Sequence, residues 1–152
     1  MSRAPFQVLV LPYRVTPEGA YEFALFRRAD TTDVCWQGIA GGGEDDETPE
    51  AAARREAFEE AGIAKDGPLL PLDSRAMIPV QAICGFLWGQ DVLVIPEFCF
   101  GIAIGAGTGE LRLSGEHREC RWAPYEPARD LLRWDSNRVA LWELNHRLLR
   151  NR

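Results

Sequence analysis

Glu47, Arg55, Glu56, Glu59 and Glu60 are the residues of this sequence best placed to do chemistry together; they stand in GGGEDDETPEAAARREAFEEAGI, residues 41–63. On a helix each residue advances about 100°, so Glu60 falls about 40° to one side of Glu56 and Glu59 about 60° to the other. The three carboxylates then share a face. Ala51, Ala57, Phe58 and Ala61 are expected on the opposite side, against a sheet. Like charges at these spacings destabilise an isolated helix by a few tenths of a kcal/mol per pair, so a compensating group is expected. Arg55 is near the acidic face and can reach either a carboxylate of the cluster or Glu47 in the preceding loop. Clustered carboxylates with room for water suit Mg²⁺, a hard cation that takes oxygen ligands and keeps several waters. An E-x-x-E-E segment alone is more often a solvated helix face, so the wider spacing has to decide.

Gly41, Glu47, Arg55, Glu56, Glu59, Glu60, Gly62 and Ile63 fit G-x5-E-x7-R-E-U-x-E-E-x-G-U, where U is a bulky aliphatic residue. Seven fixed residues at about 7% background each would coincide by accident on the order of once in a million. The stretch resembles the signature of the Nudix hydrolases, with one departure, Ala57 at the first U position. That resemblance implies an α/β/α sandwich with a mixed sheet between helices. It also implies hydrolysis of a nucleoside diphosphate linked to another group, with Mg²⁺ or Mn²⁺ held by the motif glutamates. On that basis Glu56 and Glu60 are the principal metal ligands, and Glu59 is a further ligand or the base that orients the attacking water. Arg55 holds the carboxylates, and Glu47 is structural. The backbone of Gly41 and Gly42, with no side chain in the way, is expected to line the phosphate channel.

WQGIAGGGEDDET, GEHRECRW and LLRWDSNRVALWEL further resemble segments of the bacterial dihydroneopterin triphosphate (dATP) pyrophosphohydrolases. Carried over by position, Glu116 becomes a metal ligand or base, Arg27 or Arg28 a phosphate contact, and Ser136 a substrate contact. The substrate implied is a small nucleoside or pterin triphosphate, cut to monophosphate and pyrophosphate. Another diphosphate-linked nucleotide, such as ADP-ribose, a nucleotide sugar or a dinucleoside polyphosphate, is the alternative, and a nucleotide-binding module without catalysis is the other class. Trp36 and Trp88 either stack on a base or simply pack.

These side chains have to be positioned by strands. Residues 6–13 and 21–28 read as a hairpin around VTPEGA. Thr48 as cap, Pro49 at the first helical position and Gly62 as stop delimit a helix over 49–61. Further strands are expected at 69–73, 76–88, 92–104 and 119–125, with Pro96 marking an edge or bulge. Helices are expected over 127–132 and 136–150, the second capped by Ser136. Trp88 falls in an apolar hairpin that is equally open to a homodimer contact.

At 152 residues and 46% hydrophobic, the chain is expected to form a single domain, 1–152, with a substantial core. A formal charge of −6 argues against polymeric nucleic acid as a partner. The absence of a long apolar run or signal pattern argues against a membrane and for a cytoplasmic protein. Four widely spaced cysteines and two histidines make a zinc site improbable and suggest reduced, mostly buried thiols.

Overall fold

A computed structural model describes residues 2–28, 34–105, 110–115 and 117–151. The strands are β1 (Arg3–Val15), β2 (Tyr21–Arg28), β3 (Trp36–Gln37), β4 (Ile39–Glu44), β5 (Leu69–Pro79), β6 (Val94–Ala103) and β7 (His117–Ala123). The helices are α1 (Pro49–Ala61), α2 (Tyr125–Leu131) and α3 (Asp135–Arg150). Together the strands form one mixed sheet of order β3-β2-β1-β6-β5, with β4 also paired to β1 and β7 to β2.

β1 is the organising strand. Its last residues make the expected hairpin with β2, from Tyr13 opposite Phe23 to Val15 opposite Tyr21. Its earlier part leaves β2 and pairs antiparallel with β4, Gln7 opposite Gly42, and parallel with β6, Gln7 opposite Glu97. Alternation along β1 sends Leu9 and Leu11 to one face and Val8 and Val10 to the other, all but fully buried. Leu9 and Leu11 pack with Leu141, Leu144 and Leu148 of α3, whereas Val8 and Val10 pack with Ala52, Ala53, Ala57 and Ala61 of α1. Two cores on opposite faces of one sheet give the anticipated α/β/α sandwich.

Several elements differ from their sequence reading. The strands expected at 69–73 and 76–88 are one strand, β5, that ends at Pro79 and continues as a 3₁₀ turn over Val80–Ala82. Gly85 and Gly89 then adopt φ of 71° and 106°, turning the apolar stretch into a loop. Within β5 the register slips between Pro71, opposite Phe100, and Arg75, opposite Phe98. Pro96 lies where β6 has β5 but not β1 beside it, a local edge that tolerates its missing N–H. α2 begins at Tyr125, earlier than expected. α3 begins at Asp135, and Ser136 is not its cap; Trp134 holds that position with no side-chain capping bond.

The four cysteines are free thiols, with Cys35 and Cys99 buried, Cys120 half-buried and Cys84 exposed. Among the described residues no helix is long and apolar enough to cross a membrane.

Candidate functional site

α1 is built as its punctuation requires. The Thr48 hydroxyl accepts from the Ala51 N–H (3.2 Å), and Pro49 opens the first turn. Gly62, at φ 70° and ψ 21°, closes the last turn by donating to the Phe58 carbonyl (2.9 Å). The buried face consists of Ala52, Ala53, Ala57 and Ala61; Ala51 and Phe58, expected to be buried, point outwards. Glu60 and Glu56 therefore border the apolar face rather than oppose it. Glu60 is only 3% exposed, Glu56 is half-buried, and Glu59 is open to solvent.

Arg55 is the compensating group, and it does both things the sequence allowed. Its Nε and Nη2 donate to the two oxygens of Glu47 (2.8 and 3.0 Å), and Nη1 donates to Glu56 (2.9 Å) and Glu59 (3.2 Å). Nη2 also donates to the Gly42 carbonyl at 2.8 Å, tying α1 to β4. Only a planar fork of five donors makes this set of contacts. Glu47 in turn accepts from the Glu44 N–H at 2.8 Å, and the Arg55 guanidinium holds its carboxyl below the usual range. The same hydrogen bond with Glu47 pushes the Arg55 pKa still higher, so this cation stays charged.

Glu56 moves the other way. Burial raises its carboxyl, opposed by hydrogen bonds with Arg55 and with Glu60. Two carboxylates hydrogen-bond each other through a proton, and a divalent cation is the other group that holds such a pair together. The all-oxygen donor set fits a hard cation. Among the described residues, no three His, Cys, Asp or Glu side chains are already drawn together around a metal position, and Arg55 engages Glu56 and Glu59. Glu116 lies outside the described residues; the Ser114 N–H, just before it, donates to the Glu60 carbonyl at 3.1 Å.

The glycine triplet lies beside these carboxylates. A side chain at Gly41 would strike the Glu56 carboxylate, one at Gly43 the Phe6 ring, and one at Gly42 the Arg3 guanidinium. A polar cavity of about 190 Å³ opens here, lined by Arg3, Gly42, Gly43, Glu44 and Glu56 among others. Arg3 carried no sequence signal, yet it is the guanidinium in this cavity. It donates to the Gln7 side chain (2.6 Å), while its Nε has no hydrogen-bond partner. Arg27 faces elsewhere, in an ion pair with Glu119 of β7 (3.1 Å), and Arg28 pairs in register with His117. Neither lines this cavity.

Ser136 lies on the other sheet face, in a second cavity of about 380 Å³ with Gln37, Ala40, Glu97, Trp134 and Asn137. Trp36 is 6% exposed and packs within the α3-side core. Trp88 packs back on the chain, its indole N–H donating to the Arg3 carbonyl at 2.8 Å. Glu97, the lone carboxylate of VIPEFCFGIA, lines the same cavity as Ser136, a place that its sequence context alone does not reveal.

The sequence pattern of the NUDIX domain matches residues 7–142. The chain belongs to the Nudix family. A crystal structure of a candidate NUDIX hydrolase from Listeria monocytogenes is 42% identical, covers 97% of each chain and superposes with a TM-score of 0.86. The E. coli dihydroneopterin triphosphate pyrophosphohydrolase is 23% identical, covers 95% of this chain and 99% of its own, and gives a TM-score of 0.75. A C. elegans Ap4A hydrolase is 19% identical over 96% and 98%, at a TM-score of 0.68. At those identities the last two show the shared fold. No curated protein matches the sequence significantly. As a Nudix hydrolase, the chain is a pyrophosphohydrolase acting on small molecules.

Proposed function

We propose that this Nudix hydrolase is Mg²⁺-dependent and cleaves a small nucleoside or pterin triphosphate to the monophosphate and pyrophosphate. The observation that carries the reading is the Arg55 hub, which holds Glu47, Glu56 and Glu59 while Glu56 and Glu60 meet beside Gly41. Glu56 and Glu60 would hold the cation, with Glu59 and Glu116 as further ligands, one of them serving as the base for the attacking water. When bound, Mg²⁺ polarises the phosphoryl oxygens and lowers the pKa of a coordinated water. Arg55 keeps the carboxylates oriented. The Gly41 and Gly42 backbone leaves room for phosphate, and Arg3, in the same cavity as Glu56, suits a phosphate contact better than Arg27 or Arg28. A polyphosphate approaching an acidic protein meets repulsion of about 4 kcal/mol per unit pair at 4 Å and an effective dielectric of 20, which cation and guanidinium offset.

The test is a panel of nucleoside triphosphates, a pterin triphosphate, ADP-ribose, a nucleotide sugar and a dinucleoside polyphosphate, assayed with Mg²⁺ for pyrophosphate and orthophosphate. Pyrophosphate released from a triphosphate is expected. EDTA should abolish it, and a zinc-selective chelator should leave it intact. Glu60→Gln should lower kcat by about 10² to 10³ with the fold retained. Turnover confined to the other compounds would move the substrate class, and no turnover at all would leave a binding module.

A further inference from the structure

The cavity on the α3 side of the sheet contains a carboxylate that the triphosphate chemistry does not use. Glu97 is 6% exposed, on the central strand β6. Burial pushes its carboxyl above the usual range, a shift the neighbouring Ser136 hydroxyl opposes, and its Oε1 has no hydrogen-bond partner. A buried carboxylate oxygen left unpaired is costly, and such a group persists where water or a ligand completes it.

Its neighbours fix what it can read. The Asn137 Oδ1 accepts from the Gly38 N–H (2.8 Å), so its amide N–H donates to Ser136 Oγ (3.3 Å), and the Ser136 proton is left for Glu97. In its ionised form Glu97 offers only acceptors to the cavity it lines. The apolar walls come from Ala40, Ile78, Pro79 and Trp134, and the 380 Å³ space accommodates a planar bicyclic ring. Glu97 and Gly42 both pair with Gln7, from opposite sides of β1, so about two strand spacings, about 10 Å, separate their backbones in the plane of the sheet.

We propose that Glu97 reads the adjacent N–H and NH₂ donors of a 2-amino-4-oxopyrimidine ring, as found in guanine and in pterins, held in this cavity. Adenine presents an acceptor beside its donor, which would meet a carboxylate lone pair, and hypoxanthine lacks the amino group. The assignment deepens the triphosphate reading above and rests on it for the placement of the phosphates.

The test is calorimetric titration with GMP, IMP and AMP, each in Mg²⁺ buffer, beside separate turnover assays. Wild-type protein should bind GMP about 10- to 100-fold tighter than IMP or AMP, the range for losing a hydrogen bond to a charged group. Glu97→Gln, which presents a donor beside an acceptor, should bring GMP down to the IMP value and tighten AMP. Neopterin competition distinguishes the ring sources: displacement of GMP at lower concentration than GMP itself marks a pterin site, and weaker displacement a guanine site. Equal affinity of wild-type protein for the three monophosphates overturns the proposal, as does an unchanged GMP preference in a folded Glu97→Gln. The wild-type comparison decides even if that variant does not fold. GMP discrimination without any turnover would sink the hydrolytic reading alone, and turnover without base discrimination would sink the Glu97 assignment alone.

Discussion

Arg55 shows why the type of cation matters at this site. Its guanidinium reaches five oxygens on Glu47, Glu56, Glu59 and Gly42 within 3.2 Å. A lysine would keep the charge and lose the fork. Arg55→Lys is expected to raise the Mg²⁺ concentration for half-maximal activity, or lower kcat, by about 10- to 100-fold, as for other groups that orient ligands. Titrating activity with Mg²⁺ checks it, and an unchanged curve would show the fork to be dispensable. Gly41→Ala should impair catalysis from the opposite side of the cluster. Its methyl would stand where the Glu56 carboxylate lies, so that carboxylate must move while the strand remains.

At the scale of elements, α1 was legible because its signals are local: a cap, a proline and a glycine stop all act within one turn of the helix end. Thr48→Ala should cost about 1 kcal/mol, measurable by denaturant unfolding. Residues 80–88 were misread as strand because their apolar composition outweighed Gly85, whose positive φ angle breaks the extended backbone. Glu97 and Arg3 carry meaning only once segments distant in sequence become neighbours, β1 with β4 and α1 for Arg3, and β6 with β4 and α3 for Glu97. The register slip in β5 was equally invisible, and it is held by a residue of α3. Glu143 accepts from the N–H groups of Asp73 and Ser74 (both 2.7 Å), the Ser74 hydroxyl (2.6 Å) and Arg147 (2.8 Å). Burial alone would raise this carboxyl, but those donors outweigh it and hold the pKa at about 2. The folded value lies below the unfolded one, so this stabilisation is full above pH 4.5 and is lost as pH falls towards 2. Melting wild type and Glu143→Gln between pH 7 and pH 3 should show a Tm gap that narrows on acidification. A gap that widened would refute the anchor.

For the whole molecule, the cation proposed for the acidic edge of α1 should stabilise the fold when it binds. At a Mg²⁺ concentration of about 100 times Kd the gain is about 2.7 kcal/mol, equivalent to a rise in Tm of about 5–10 °C for a domain of this size. Differential scanning fluorimetry with and without EDTA measures it, and Glu56→Gln with Glu60→Gln should abolish the rise.

β1 also has a consequence for synthesis. Val10 pairs with Ile39 and Phe100, so one edge of the VLVL segment can be covered about 30 residues after it emerges, and the other only about 90 residues after. At translation rates of about 5–20 residues per second, that second edge waits about 5–20 s, an apolar strand exposed on a growing chain. The ribosome-bound protein should therefore be a holdase client until β6 emerges, and nascent chains arrested before residue 94 should be the ones that aggregate.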